Sequence, residues 1–479
     1  LRARALFSAP VCIDRNNGFL LLLGGAISGL LFVISGISPA FEYGRLPDWK
    51  ETILFVSLLS FAGILYVANI WLIPRVKSNG QLLTIVLLIG VIARSCFFGS
   101  TPIFEDDWYR YLWDGAVVNA GINPYAASPA QAMLVDLKGN VAEPSTDPLI
   151  ARLQSVGESH PHFPERVNYP FVTTIYPPIA QTVFASANLI APFNLDAFRL
   201  ILLSVDGVAV ALLIFMLRFY GRSPLWAVLY WWNPLVIVTG FNAAHMDILI
   251  APLLLATLAF AEHRRPRFAA VTLAAAAGVK LWPLILTPVL FRAWRYNFKE
   301  IALTWAIFSA ALLLFVVPLL LSLQSGYSGL GAYASEWVTN SFIFTYLSAG
   351  VAFALEDSGY LVRFAVAGTV GATALWFGLS RRAASIPLPS ALLITVLLLF
   401  FLSPTGYPWY AIWFLVFAPF APMTGVALLT VTLPIYYLRF LMTAHGWGAY
   451  FNFGLTPIEF GTPLAVLLYE LKKNPPWRI

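Results

Sequence analysis

Gln81-Leu82-Leu83-Thr84-Ile85-Val86-Leu87-Leu88-Ile89-Gly90-Val91-Ile92-Ala93-Arg94-Ser95-Cys96-Phe97-Phe98-Gly99-Ser100 is a mostly apolar run, and close behind it comes Glu105-Asp106-Asp107-Trp108-Tyr109-Arg110-Tyr111-Leu112-Trp113-Asp114-Gly115. About twenty such residues, wound as a helix, cross the hydrocarbon core of a bilayer. Three consecutive acids at the end of a span are costly in an apolar setting. They must face water, a metal, or a substrate that needs a base. A single Asp there would only mark a helix end. Three acids followed by Trp, Tyr, Arg, Tyr, Trp and Asp indicate a reactive site at the membrane boundary.

The composition agrees. Of 479 residues, 59% are hydrophobic and only 11% charged, against about 25% charged in a soluble domain. The chain therefore reads as an all-α polytopic membrane protein forming one domain, residues 1–479. The formal charge of +6 needs no nucleic-acid partner, because Lys and Arg collect on the cytoplasmic loops of membrane proteins. The two cysteines, Cys12 and Cys96, have no metal-like spacing and imply neither a disulfide framework nor a zinc site. The first apolar run, residues 18–37, is longer than a signal-peptide core and reads as a retained span.

Taken in order, the basic residues set an orientation. Arg2, Arg4 and Arg15 place the N-terminus inside, Arg75 and Lys77 follow the second span, and residues 81–99 deliver the acids to the outer face. From there to residue 176 the chain is polar, and an interval of that length is usually functional. Residues 177–193 are apolar but short and open on two prolines; they read as an interfacial helix. Arg218 and Arg222, the His263-Arg264-Arg265-Pro266-Arg267 loop, Arg292 and Arg295, Arg381 and Arg382, and Lys472 and Lys473 then fall on the inner side. The expectation is about fourteen crossings with both ends inside. Residues 1–80 hold extra N-terminal spans, 100–198 a long outer loop with juxtamembrane helices, and 199–479 the remaining bundle. Residues 268–279 and 281–290 are each too short to cross and flank Lys280, a broken unit with a lysine at its apex.

The acidic run, together with Gly121-Ile122-Asn123-Pro124-Tyr125, resembles the first outer loop of GT-C superfamily glycosyltransferases, in particular bacterial polyprenyl-phosphate-mannose-dependent mannosyltransferases. Weaker likenesses follow at Tyr176-Pro177-Pro178, Asn233-Pro234-Leu235, His245-Met246-Asp247, Lys280-Leu281-Trp282-Pro283, Trp337 with Asn340, Ser403-Pro404 and Pro408-Trp409-Tyr410. The resemblance runs from about residue 80 to about residue 420. Two spans precede the acidic loop where many relatives have one, which leaves residues 1–75 without an assigned role.

This resemblance implies an inverting transfer of a sugar, mannose first among candidates, from a polyprenyl phosphate to a glycan or lipid acceptor at the periplasmic face of a bacterial inner membrane. Such chemistry needs a carboxylate to take the acceptor proton and cations to stabilise the departing lipid phosphate. Asp107 is the expected base and Asp106 the orienting group, though the reverse fits the motif nearly as well. Lys280 is the expected phosphate ligand, set in apolar sequence that makes an unpaired cation expensive; a lysine snorkelling to the interface is the plain alternative. Arg110 either holds the phosphate or neutralises Asp106 and Asp114. Glu105, Tyr111, Asp114, His245, Asp247, Tyr176, Trp337 and Asn340 are candidate acceptor or sugar contacts.

The sequence establishes no cofactor; a divalent metal held through Asp106 and His245 is compatible with these residue types. His160 and His162 read as an ordinary exposed loop, lacking a third ligand. For Tyr333, Trp337, Trp409 and Tyr410, an interfacial aromatic belt accounts for the sequence better than sugar stacking does. Two other readings remain open. One is a transporter or flippase of a lipid-linked sugar, which also needs intramembrane charges and broken helices. The other is a GT-C enzyme using arabinose, aminoarabinose or galacturonic acid.

Overall fold

The computed structural model describes residues 14–45, 48–133, 145–292, 298–322, 328–353 and 358–473; Arg2, Arg4, Cys12 and Arg295 lie outside them. All regular elements among the described residues are helical. The one strand-like contact is an isolated parallel bridge between Thr339 and Thr405. This is the architecture of a multi-pass membrane protein.

Seven described helices are long and apolar enough to cross a bilayer: Arg15–Phe41, Trp49–Arg75, Leu195–Phe219, Phe298–Leu321, Gly359–Leu379, Thr424–Ala444 and Gly448–Lys473. The pair Pro234–Asn242 and Met246–Glu262, bent by 110°, raises the number to eight if counted as one span. Gly80–Ser95, Pro266–Val279, Trp282–Phe291, Ile343–Ala352 and Leu388–Leu402 are shorter apolar helices. About fourteen crossings are thus not what length and apolarity support here. Prolines and polar side chains break several of the expected spans into short pieces. Residues 409–420, for example, form a 3-10 turn at Pro408–Tyr410, a helix at Ala411–Leu415 and a second 3-10 turn at Ala418–Phe420.

The central strut is the chain from Ala227 to Ala251, in which every residue is buried. A segment without a solvent or lipid face must satisfy its polar groups internally, and Asn233 and Asn242 do so here, whereas the His245 ring does not. Asn233 caps the turn that follows it, accepting from the backbone N–H of Leu235 and Val236, and donates to Thr430 at 2.8 Å. Asn242 accepts from the Ile103 N–H at 2.8 Å and donates to the Thr101 carbonyl at 2.8 Å and the Ser100 hydroxyl at 3.1 Å. Arg199 donates to both the Asn242 and Ser100 carbonyls, at 2.7 and 2.9 Å. Ser100–Ile103 is thereby stapled to the strut just before the acids begin.

The acids open the helix Asp107–Asn119, which packs along Pro178–Ile190. The two backbones meet at Gly115, where any Cβ would collide with the Phe184 carbonyl. A helix is present where the juxtamembrane one was expected, and it serves as the bed on which the acidic helix lies. The other face of Asp107–Asn119 carries Tyr109, Trp113 and Val117 into a small separate core with Ile122, Leu153 and Val167.

Candidate active site

A cavity of about 410 Å³ opens over the start of the acidic helix. Glu105, Asp106 and Asp107 line it from one side and Lys280 from another, with Arg110, Tyr111, Tyr176, Asp247 and Trp337 also in its wall. Residues 175 positions apart in sequence are thus brought to one hollow. Lys280 stands where the chain leaves Pro266–Val279 in an extended conformation before turning again at Trp282–Leu286. The predicted break lies at this residue, so the side chain emerges from an apolar layer into the cavity.

Lys280 Nζ donates to Asp247 Oδ1 at 2.9 Å and sits 4.3 Å from the centre of the Tyr410 ring and 5.1 Å from that of Trp413. Asp247, itself buried, also accepts from the Trp413 indole N–H at 2.6 Å. The cation is therefore anchored from behind, with ring faces around it. This is not the disposition of a snorkelling lysine, which carries its charge out to the interface.

The carboxylates are held differently from one another. Phe104, immediately before them, has φ of 60°, a left-handed conformation that costs a bulky residue energy. Stacking on Phe440 (4.8 Å, 16°) and edge contact with Phe41 (4.9 Å) hold it there. Glu105 then points inward: burial, and next the charges of Asp107 and Asp106, push its carboxyl well above the usual range. Asp106 is pushed up to about 7, first by burial and then by the charge of Asp107, against a hydrogen bond donated by the Asn168 amide. Burial also raises Asp107, opposed chiefly by the Lys280 charge. Two of these three groups therefore titrate far from an ordinary carboxylate, as expected for acids crowded in a half-dry site.

His245 is fully buried between two of the acids. Its Nε2 lies 3.5 Å from Glu105 and its Nδ1 3.7 Å from Asp107, while the ring stacks on Trp409 at 3.8 Å. Neither ring nitrogen has a hydrogen-bond partner, nor does Glu105 Oε1. The two carboxylates approach opposite edges of the imidazole, so a single ion could not take all three donors. Among the described residues no group of three or more His, Cys, Asp or Glu is arranged to hold a metal ion. The carboxylates within 4 Å of the His245 ring are those of Glu105 and Asp107, not that of Asp106.

Other sequence candidates are placed as supports. Arg110 donates to the Val172, Asn168 and Tyr169 carbonyls at 3.3, 3.0 and 3.0 Å, which ties down the loop carrying Asn168. Asp114 is buried beneath the site and accepts from Gln181 at 3.0 Å. Asn340 donates to the Gly406 carbonyl and to Glu459, both at 2.8 Å. Neither Asp114 nor Asn340 belongs to the cavity wall. Tyr111 donates to Asp107 at 3.4 Å and stacks on Phe184 at 4.7 Å.

The aromatic residues depart from the belt expected of them. Tyr333, Trp337, Trp409 and Tyr410 all line the cavity, and Trp409 and Tyr410 are buried inside the protein. Tyr333 hydrogen-bonds Thr405 and Tyr410 at 2.9 Å each, across 72 and 77 residues of sequence. His160 and His162 lie away from this cavity; His160 stacks on Phe193 and His162 approaches Glu165. Sequence reasoning missed Asn168, Trp413, Tyr436 and Arg439. Asn168 carries no motif, whereas Trp413, four residues after Trp409, has the spacing of a shared helix face.

Comparison with known proteins points the same way. Residues 173–296 match the family described as alpha-(1->6)-mannopyranosyltransferase, N-terminal domain. That segment holds Tyr176, His245, Asp247 and Lys280 but ends short of the acidic run. Over 345 residues the chain is 26% identical to alpha-(1->6)-mannopyranosyltransferase A of Mycobacterium tuberculosis, a match that covers 66% of this chain and 61% of that protein. No solved structure matches. Both similarities are to proteins described as mannopyranosyltransferases, and the chain spans about three fifths of the relative's length.

Proposed function

We propose that the protein is a membrane glycosyltransferase that moves a mannose from a polyprenyl-phosphate donor to an acceptor hydroxyl, with inversion, at the periplasmic face of a bacterial inner membrane. The observation that carries this reading is the cavity itself, with Glu105-Asp106-Asp107 on one wall and an anchored Lys280 on another. A base and a phosphate-binding cation are the two groups the transfer needs. Similarity to proteins named alpha-(1->6)-mannopyranosyltransferase makes mannose the sugar of choice. Orientation rests on the basic residues at the opposite ends of the spans.

In this reading the donor phosphate lies against Lys280, and the lipid tail leaves past Leu281, Trp282 and Leu330, which supply apolar wall. The acceptor oxygen attacks the anomeric carbon from the side opposite the phosphate. The new C–O bond forms as the bond from that carbon to the phosphate oxygen breaks, and its electron pair leaves with the polyprenyl phosphate. The acceptor proton passes to a carboxylate. Asp106 is the base we favour over Asp107, because its carboxyl, held near neutrality, is matched to the task at working pH. Trp409, Tyr410 and Trp337 offer ring faces to the sugar.

The test uses the full chain in lipid nanodiscs with radiolabelled polyprenyl-phospho-mannose as donor and (1→6)-linked mannotriose as acceptor. Label is expected in a longer oligosaccharide with wild type and not with the Asp106→Asn/Asp107→Asn double variant. Failure of label to move from this or any other polyprenyl-phosphate sugar would overturn the reading.

A further inference from the structure

We propose that a second hollow, on the far side of the acidic strip, seats the acceptor sugar chain, and that the turn joining the first two helices forms part of its wall. This rests on the transferase reading above. The hollow has a volume of about 350 Å³ and shares Phe104, Glu105 and Asp106 with the first cavity. Asp107 and Lys280 belong to the first alone. Two reactants could therefore occupy separate hollows and meet at Asp106.

The chemistry of the walls separates the two occupants. Tyr43, from the turn after the first helix, meets the Tyr109 ring edge-on at 5.6 Å, and Trp108 stacks on Tyr109 at 3.7 Å. Arg166 lies 4.8 Å over the Tyr43 ring and donates to the Tyr109 hydroxyl at 2.9 Å. Rings edged by hydrogen-bonding groups bind the two aspects of a sugar, its C–H face and its hydroxyl rim. A phosphate is disfavoured, since Arg45 is already paired with Glu51 at 3.1 Å and Arg166 is engaged with the Tyr43 ring and the Tyr109 hydroxyl. A lipid tail is disfavoured too, because Leu195 is the one branched aliphatic side chain among the described lining residues. A neutral oligosaccharide fits both conditions. The N-terminal pair of helices thereby acquires a role, which is to present Phe41–Arg45 to the acceptor.

Tyr43 is 48% exposed, so its removal opens no core. The experiment uses the full chain in nanodiscs and (1→6)-linked mannotriose, with Tyr43→Ala, and Tyr43→Phe as the ring-retaining control. Binding is read without donor by saturation-transfer NMR, and transfer by initial rates with polyprenyl-phospho-mannose. Tyr43→Ala should weaken sugar binding and raise the acceptor KM about five- to ten-fold, the worth of one stacked ring. The donor KM should stay within about two-fold, and Tyr43→Phe should behave as wild type. An unchanged acceptor affinity in Tyr43→Ala, a change confined to the donor KM, or no trisaccharide binding by wild type would overturn the inference. A wild type that binds the sugar through Tyr43 yet moves no label would refute the transferase reading while leaving this site standing.

Discussion

Asn168 offers a test of the acidic pair, because its side chain donates to Asp106 and also holds Asp107 down. Its amide donates to Asp106, and its backbone carbonyl separately accepts from Arg110. Asn168→Ala removes the first contact and leaves the second, so the loop stays tied. A donated N–H stabilises the carboxylate and not the acid; its loss must therefore raise a carboxyl already pushed up to about 7. A hydrogen bond to a charged group is worth about 1.5 kcal/mol or more net, which corresponds to roughly one pH unit. Near pH 7 the ionised fraction then falls from about one half to about one tenth, and kcat/KM drops about five-fold. Near pH 9 the variant should recover most of the wild-type rate. The assay is kcat/KM for mannose transfer between pH 5.5 and 9.5 in nanodiscs. An acidic limb that stays in place, or moves to lower pH, would refute the assignment of Asp106. A uniform loss at every pH would show that Asn168 acts on the fold of the loop and not on the acid.

Further outcomes follow from the same geometry. Asp106→Asn should lower kcat by at least about 100-fold, the worth of a general base, and Asp107→Asn by less; the opposite order in the transfer assay would exchange their roles. Lys280→Ala should raise the donor KM or lower kcat by about 30-fold, from the roughly 2 kcal/mol of a charge-assisted contact, with acceptor KM unmoved; an unchanged donor profile would remove Lys280 from phosphate binding. Gly115→Val forces a side chain against the Phe184 carbonyl and should cost roughly 1–3 kcal/mol of stability, seen as a lower midpoint in a thermal scan in detergent; an unaltered midpoint would mean that the two helices part without penalty.

What the sequence disclosed, and what it hid, follows from the range of the interactions concerned. The helical class and the acidic site were legible because each is written in consecutive residues, a run of apolar side chains and then Glu105-Asp106-Asp107. Lys280 was legible because a cation amid Ala and Leu is conspicuous at once. The span count of about fourteen is not confirmed, since short polar staples, such as Asn233 to Thr430, allow a buried chain to break its helix without loss. The aromatic belt failed for a related reason: composition gives the same Trp and Tyr to an interface and to a cavity, and only packing separates them. Asn168 was invisible, since its importance lies in a contact across 62 residues.

The site's rigidity has a traceable source in the same long-range staples. Four non-glycine residues with left-handed backbones stand at its edges: Phe104 before Glu105, Tyr169 whose carbonyl accepts from Arg110, Ala244 before His245, and Asn340 behind the Trp337 wall. Such conformations persist only where the surroundings over-determine them. Each is so held here. Phe104 is clamped between rings, and Ala244 leads into His245, whose N–H bonds the Thr239 carbonyl at 3.0 Å. Asn340 is gripped by Gly406 and by Glu459, a carboxyl wholly buried near the C-terminal end of the described chain. Polar groups are expensive in an apolar protein, and they are concentrated where they fix the backbone on either side of the reactive carboxylates. Glu105-Asp106-Asp107 and Lys280 line one cavity whose edges these staples hold, so in the proposed transfer the fold would contribute preorganised charged groups.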